Sequence, residues 1–125
     1  MHSTLLVMLG GAIGAAARYQ LGRLAFHLFG PDQPWGTLLA NLIGGLAMGL
    51  LAGLLARHPA PHESIRLLLA VGVLGGFTTF SAFSLETFLM IERGQLALAG
   101  AYVIVSVAGS VLALFAGLVV VRSFA

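Results

Sequence analysis

Four long apolar stretches separated by short polar turns constrain this chain more than any other feature. They cover residues 4–29, 36–56, 64–92 and 96–121. A helix needs about 20 apolar residues to cross the hydrocarbon core of a bilayer. Only 8% of the residues are charged, whereas globular proteins carry about a quarter. The sequence therefore predicts an all-α integral membrane protein, in which residues 1–125 form a single four-helix transmembrane domain, and it excludes a soluble enzyme.

The charged residues also exclude a nucleic-acid-binding face. Six arginines stand against four acidic residues, and the arginines are scattered along the chain rather than clustered. The chain has no cysteine, which excludes disulfides and thiolate metal sites. Residues 4–17 resemble a secretory signal segment that ends in small residues. No basic stretch precedes them, and the apolar run continues to Phe29, so we prefer a first membrane helix.

One segment of the third stretch differs from a simple membrane helix. Residues 75–84 read GGFTTFSAFS, which combines adjacent glycines, clustered hydroxyls and three phenylalanines. Such a composition allows a helix to break, because hydroxyls and neighbouring helices satisfy the freed backbone groups. Non-helical backbone at membrane depth persists only where protein buries it or where it lines a wet cavity. We therefore predict an ordinary helix over residues 64–74, followed by a functional break near the bilayer midplane.

Polar side chains on the first and second helices accompany this break. Arg18 lies well inside the first apolar stretch, so it either snorkels to the interface or faces a polar cavity. In the second stretch a four-residue spacing places five residues on one helical face: Thr37, Asn41, Gly45, Gly49 and Gly53. The glycines predict a groove. Asn41 is costly in lipid without a partner, so it either bonds a neighbouring helix or lines an aqueous path.

The phenylalanines after the break offer a chemistry for anions. Phe80, Phe83, Ser84 and Thr87 are predicted to share one helical face, with Glu86 at its edge towards water. An aromatic ring has a negative face and a positive edge. Ring edges, amide hydrogens and hydroxyls therefore attract a small anion, whereas plain packing is the alternative. Carbonyls at a broken helix end are instead ligands for a cation such as sodium.

The arginine distribution predicts that copies insert in both orientations. Four spans place the N-terminus, the 57–66 loop and the C-terminus on one side of the membrane. Three arginines fall on that side and three on the other, so the positive-inside rule selects neither orientation. We therefore predict an antiparallel, dual-topology homodimer, in which the polar faces of two copies meet. The fourth helix adds a polar stripe to this interior through Tyr102, Ser106 and Ser110.

The segment over residues 75–84, together with Glu86, resembles the signature of the Fluc (CrcB) fluoride channels. The resemblance extends along the chain, through the GGAIGAAARY run of residues 10–19 and the WGTLLANLIG run of residues 35–44. It implies a fluoride-selective channel that passively exports fluoride across the cell inner membrane and relieves fluoride toxicity. It also implies two pores in each antiparallel dimer.

The resemblance further implies roles for individual residues. It places seven residues along the fluoride pore: Asn41, Phe80, Ser81, Phe83, Ser84, Tyr102 and Ser106. Arg18 and Glu86 correspond to residues of the vestibule. A structural sodium ion at the dimer axis would be held by the backbone carbonyls of Gly75 and Thr78. Position 82, commonly Thr or Ser in the family, is Ala82 here, and we expect altered conductance rather than loss of function.

Two other classes remain to be weighed. A proton-coupled cation exporter of the small multidrug kind is also a four-helix, dual-topology protein, and it is the alternative function. It requires a carboxylate inside the membrane, yet the first stretch has no acidic residue and Glu86 lies towards the end of the third. The other class is an assembly subunit that transports nothing. The polar faces of three helices argue against this class.

Overall fold

A computed structural model describes residues 2–58 and 62–124, and helices are the only regular secondary structure in these residues. Four stretches are long and apolar enough to cross a membrane. They are α1 (His2–Phe29), α2 (Trp35–Arg57), a composite third span (Glu63–Glu92) and α6 (Leu96–Ser123). The prediction of an all-α protein with four membrane-spanning helices is therefore confirmed. The first helix continues without interruption through the alanines at positions 15–17.

The third span consists of four helical segments rather than one regular helix. They are α3 (Glu63–Ile65), a π-helix (Arg66–Leu74), α4 (Gly75–Phe77) and α5 (Phe80–Glu92). The prediction of an ordinary helix over residues 64–74 was therefore wrong in its geometry. A π-helix pairs each N–H with the carbonyl five residues earlier, as the N–H of Gly75 does with Ala70. A uniformly apolar stretch carries no marker for that pairing, so the sequence did not reveal it.

The helical backbone stops after Phe77 and resumes at Phe80. Between them, Thr78 has φ −83° and ψ 157°, and Thr79 has φ −150° and ψ 122°, so both residues are extended. Any residue type adopts these angles without strain. The interruption therefore does not depend on a strained residue, and its stability rests on how its freed backbone groups are bonded.

Glycines bring the first and third spans into backbone contact. A Cβ atom on Gly10 would lie 2.9 Å from both the Cα of Gly72 and the backbone N of Val73. A Cβ on Gly14 would overlap the Val73 carbonyl, and its next neighbour would be the backbone N of Phe77 at 2.8 Å. The small residues of α1 thus form a close helix-packing face. This contact supports the third span immediately before its interruption.

Replacing Gly14 with alanine is expected to lower the free energy of unfolding by about 1–3 kcal/mol, the usual range for overpacking. The added methyl group meets rigid backbone of the third span, which has no flexible side chain to move aside. Gly11→Ala is the matched control, because a Cβ there meets no atom within 4 Å. Thermal unfolding in detergent compares the two variants. Equal destabilisation by both would contradict the role of Gly14.

The glycine face of α2 packs against α6. Cβ atoms on Gly45 and Gly49 would lie 2.6 Å from the Ser110 carbonyl oxygen and 2.8 Å from the Leu114 carbonyl carbon, respectively. A Cβ on Gly53 would lie 3.0 Å from the Val121 side chain. The groove predicted on this face is therefore filled by α6 along these three residues and is not an open path. The polar end of the same face, at Thr37 and Asn41, contacts the third span instead.

Two glycines end helices in the left-handed conformation. Gly30 follows α1 with φ 81°, and Gly94 follows α5 with φ 78°. The N–H of Gln95 then bonds the Met90 carbonyl at 2.9 Å, closing the helix end in the way that glycine at this position typically permits. These turns direct α2 and α6 back across the bundle. As a result, the 30–34 turn and the end of α5 lie beside each other, where they border a common cavity.

Candidate functional site

Asn41 of α2 bonds both backbone groups of Thr79 in the interruption. Its Nδ2 donates to the Thr79 carbonyl at 3.2 Å, and its Oδ1 accepts from the Thr79 N–H at 2.9 Å. Unsatisfied backbone groups are costly in a membrane, and one amide side chain satisfies two of them here. Of the two roles considered for Asn41, the structure shows the bond to a neighbouring helix. The lining of an ion path remains a prediction.

The Thr79 side chain starts α5. Its Oγ1 accepts a hydrogen bond from the Ala82 N–H at 3.2 Å, which is the geometry of a helix N-cap. The same oxygen lies 3.3 Å from Ser81 Oγ. Before the interruption, the N–H and the Oγ1 of Thr78 both donate to the Leu74 carbonyl, at 3.0 and 2.9 Å. Two adjacent threonines therefore close one helical segment and open the next.

Replacing Thr79 with valine is expected to lower the free energy of unfolding by about 1 kcal/mol, the typical contribution of an N-cap. Valine keeps the shape of threonine but leaves the Ala82 N–H without its acceptor. Thr79→Ser keeps the hydroxyl and is expected to remain close to the wild type. Denaturant titration in detergent measures both variants. A serine variant as unstable as the valine variant would show that the methyl group matters instead.

The interruption releases the carbonyls of residues 75–78 from their helical partners, and Gly75 and Thr78 are two of them. In a continuous helix the Gly75 carbonyl would accept from Thr79 N–H, and the Thr78 carbonyl would accept from Ala82 N–H. Here the Thr79 N–H donates to Asn41, and the Ala82 N–H donates to the Thr79 side chain. The carbonyls of Gly75 and Thr78 are the two that the family resemblance implies as sodium ligands. In both cases a side-chain oxygen has taken the donor that the carbonyl would have in a continuous helix.

Arg18 reaches the interruption from α1. Its Nε donates to the Gly76 carbonyl at 3.4 Å, and the side chain lines a cavity. These contacts agree with the polar cavity, one of the two positions considered for Arg18, and its part in a vestibule remains a prediction. The guanidinium carries further donors besides Nε. Arg18 thus places a fixed positive charge beside the helix interruption.

The cavity that contains Arg18 has a volume of about 600 Å³ and lies between α1, α2, α5 and the 30–34 turn. Its lining includes both residues predicted for the vestibule, Arg18 and Glu86. Its charged lining residues are Arg18, Arg23, Asp32, Glu86 and Arg93. Three arginines against two carboxylates give this cavity a net positive charge, which attracts anions.

Glu86 connects three helices by accepting two hydroxyl hydrogen bonds. Its Oε2 accepts from Thr37 Oγ1 of α2 at 3.0 Å, and its Oε1 accepts from the Tyr102 hydroxyl of α6 at 2.9 Å. Hydrogen bonds to an ionised group are stronger than neutral ones. The sequence predicts Glu86 and Tyr102 as site residues but does not pair them. The shared polar face of Thr37 and Asn41 was the available signal that Thr37 also belongs here.

The two phenylalanines predicted for the pore are in ring contact but differ in exposure. Their ring centroids lie 5.5 Å apart with the planes tilted by 50°. Phe83 is 8% exposed and also contacts the Tyr102 ring at 5.2 Å, whereas Phe80 is 76% exposed. The predicted common face is therefore divided, because α6 covers Phe83 and leaves Phe80 on the surface of the single chain. Tilted rings direct edges towards the space beside their neighbour.

The serines predicted for the pore also separate into two environments. Ser81 and Ser84 are exposed on α5. Ser106 is 5% exposed on α6, and among the residues that the structure describes its Oγ is the one buried side-chain polar atom without a hydrogen-bond partner. Buried hydroxyls are normally bonded. Ser106 is therefore a buried donor one helical turn from Tyr102.

Fold and site together define a small multi-pass membrane protein in which a charged cavity leads to an interrupted third span. Residues 5–118 match the family described as "CrcB-like protein, Camphor Resistance (CrcB)". The chain therefore belongs to the CrcB-like family, and the predicted resemblance is confirmed.

Similar proteins cover the chain almost completely. One is the "Fluoride-specific ion channel FluC" of Phenylobacterium zucineum (strain HLK1), 58% identical over 98% of this chain and 97% of that protein. Proteins with the same name from Caulobacter sp. (strain K31) and Sphingopyxis alaskensis are 57% and 53% identical, each over 98% of this chain and over 96% and 97% of their own lengths. These names describe ion channels, in agreement with the prediction that the chain is not an enzyme.

Proposed function

We propose that this protein is a fluoride-specific ion channel that exports fluoride passively across the cell inner membrane. The observation that carries the proposal is identity above 50% over nearly the whole chain with proteins named as fluoride-specific channels. The site supports it, because Arg18 of a positively charged cavity bonds the third span at Gly76, immediately before the interruption. The multidrug exporter has no such support. Glu86, the carboxylate it would need, is bonded to two hydroxyls that fix it between helices.

The ion path that we propose starts in the cavity beside Arg18. One Nδ2 hydrogen of Asn41 bonds Thr79, and an amide has a second, which donates to fluoride at the interruption. The edges of Phe80 and Phe83 then replace part of the water around the ion. The buried hydroxyl of Ser106 donates further along, together with the exposed hydroxyls of Ser81 and Ser84. Tyr102 has a different part, since its hydroxyl hydrogen is directed to Glu86 and not to the ion.

A second copy in the opposite orientation completes the site in this proposal. Phe80 is 76% exposed and Gly75 is exposed on the single chain, beside residues assigned to the pore. The balance of three arginines on each side supports insertion both ways. Because the chain has no cysteine, a single cysteine at Gln95, which is exposed in the 93–95 turn, tests this directly. In sealed vesicles, a membrane-impermeant thiol reagent added outside is expected to label about half of the copies if neither orientation is preferred; complete or absent labelling would exclude dual topology.

The structural sodium ion that the resemblance implies fits the chemistry of the interruption. In residues 2–58 and 62–124 no group of three His, Asp or Glu side chains gathers to hold a metal ion, so backbone oxygens are the available ligands. The carbonyls of Gly75 and Thr78 have lost their helical donors, and freed carbonyls at broken helices suit sodium. Two antiparallel copies would place four such carbonyls around the axis. Sodium bound there would hold two interrupted helices together.

Ion efflux from liposomes that contain the purified protein tests the channel function. A fluoride electrode follows fluoride, and a chloride electrode follows chloride in a parallel run. We expect rapid fluoride efflux without chloride efflux and without any imposed proton gradient. Equal efflux of both anions would contradict selectivity. Absence of fluoride efflux from a folded protein, together with proton-driven uptake of a cationic drug, would favour the exporter.

A further inference from the structure

We infer that Asn41 is a positioning residue for the sodium site, because it holds the Thr79 N–H away from the Gly75 carbonyl. The inference rests on the proposed function, since it requires sodium at the interruption. It gives one side chain two tasks. The Asn41 amide prepares a backbone oxygen for a cation while its second Nδ2 hydrogen faces the proposed anion path.

The hydrogen bonds of Thr79 carry the first step. Its N–H has two possible acceptors: the Gly75 carbonyl four residues earlier, as in a continuous helix, and Asn41 Oδ1. The structure shows the second, at 2.9 Å. Asn41 Nδ2 also bonds the Thr79 carbonyl at 3.2 Å, so the peptide groups on both sides of this residue are fixed by the same amide. Without that amide, the Gly75 carbonyl becomes the nearest helical acceptor for the freed N–H.

A carbonyl oxygen that accepts an N–H hydrogen bond is a weaker ligand for a cation. The donor hydrogen is partially positive, so it occupies part of the lone-pair region and reduces the negative potential there. The state of the Thr79 N–H therefore decides how well Gly75 binds sodium. Partners that orient a metal ligand without touching the metal commonly change affinity by about 10- to 100-fold. Asn41 acts on Gly75 in this indirect way.

The packing of α2 holds Asn41 within reach of the interruption. Ala40 is fully buried, and Gly44 lies against Thr78, whose Cγ2 occupies the place of a Gly44 side chain. This contact sets the distance from the α2 backbone to the extended residues. Leu42, the next residue after Asn41, instead contacts Gly109 of α6. It provides a control position on the same helix whose contact is with a different neighbour.

Thermal unfolding of the purified full-length protein in detergent, at increasing sodium concentrations, tests the inference. N-methyl-D-glucamine replaces sodium so that ionic strength stays constant. Four proteins are compared: wild type, Asn41→Leu, Asn41→Asp and Leu42→Ala. Leucine removes both hydrogen bonds at nearly constant size, whereas aspartate keeps an acceptor for the Thr79 N–H. Leu42→Ala lowers stability through packing and leaves the Asn41 amide in place.

The wild type is expected to gain stability with sodium. The midpoint is the sodium concentration that gives half of this gain. In Asn41→Leu the midpoint is expected to rise at least about tenfold. Asn41→Asp and Leu42→Ala are expected to keep the wild-type midpoint. An unchanged midpoint in Asn41→Leu would overturn the inference and leave the sodium site standing. If Asn41→Leu does not fold, Asn41→Ala, which also removes both hydrogen bonds to Thr79, is expected to show the same rise, and an unchanged midpoint in it would overturn the inference. Absence of sodium dependence in the wild type would overturn the sodium site and this inference together, while fluoride efflux still tests the channel.

Discussion

Replacing both Phe80 and Phe83 with isoleucine is expected to reduce fluoride efflux about 100-fold. The two rings touch at 5.5 Å with tilted planes, and in the proposed path their positive edges replace water around the ion. Isoleucine keeps an apolar surface but has no such edge. We expect the variant to lose about 3 kcal/mol of ion stabilisation, which is comparable to one or two hydrogen bonds to a charged group. A loss of this size corresponds to a decrease of about 100-fold in efflux. Fluoride-electrode efflux from liposomes measures the effect.

The matched control for this variant is Phe88→Ile on the same helix. Phe88 is 54% exposed and belongs to α5, outside the contact pair of Phe80 and Phe83. It is expected to keep wild-type efflux. Folded protein must be verified for the double variant, because Phe83 is buried against Tyr102. Wild-type efflux from a folded Phe80→Ile/Phe83→Ile double variant would show that the rings only pack.

The fold was largely predictable because the membrane imposes its own length scale. Uninterrupted apolar stretches must be helical in lipid, so the four spans followed from hydropathy alone. The position of the interruption also followed from GGFTT at residues 75–79, since few other compositions tolerate freed backbone. The π-helix over Arg66–Leu74 did not follow. Its backbone N–H groups donate to carbonyls five residues earlier. A run of apolar side chains does not distinguish this pairing from the four-residue pairing of an α-helix.

The candidate site was predictable by residue type but not by pairing. Asn41, Glu86 and Tyr102 were recognisable because polar groups inside a membrane need partners. Which partner each one takes depends on the rotation and depth of whole helices, and these are set by backbone contacts such as that between Gly49 and Leu114. A single sequence does not contain those distances. The different exposure of Phe80 and Phe83 was hidden for the same reason, because it depends on where α6 lies.

These pairings imply that the site residues act in two groups. Asn41 and Arg18 bond the backbone of the interruption itself. Glu86 and Tyr102 instead hold α5 against α6, which places Phe83 under the Tyr102 ring. The first group determines which backbone groups are free, and the second determines where an aromatic edge lies. Variants of the second group therefore separate helix positioning from direct ion contact.

Replacing Glu86 with alanine is expected to lower the free energy of unfolding by about 3 kcal/mol, because it removes two hydrogen bonds to a charged acceptor, each contributing about 1.5–3 kcal/mol. The hydroxyls of Thr37 and Tyr102 lose their shared partner at once. Glu86→Gln keeps one carbonyl acceptor and is expected to lose about 1 kcal/mol, the net contribution of an ordinary hydrogen bond.

Glu92→Ala is the control for this prediction, because Glu92 is exposed at the end of the same helix. It is expected to change stability by less than about 0.5 kcal/mol, as surface substitutions usually do. Denaturant titration in detergent at constant sodium measures all three variants. We expect Glu86→Ala to be the least stable, Glu86→Gln to be intermediate and Glu92→Ala to be the most stable. This order is expected because the Glu86 carboxylate joins α2 and α6 through α5. If Glu86→Ala were as stable as Glu92→Ala, the carboxylate would not hold these helices together, and the position of Phe83 would rest on apolar packing alone.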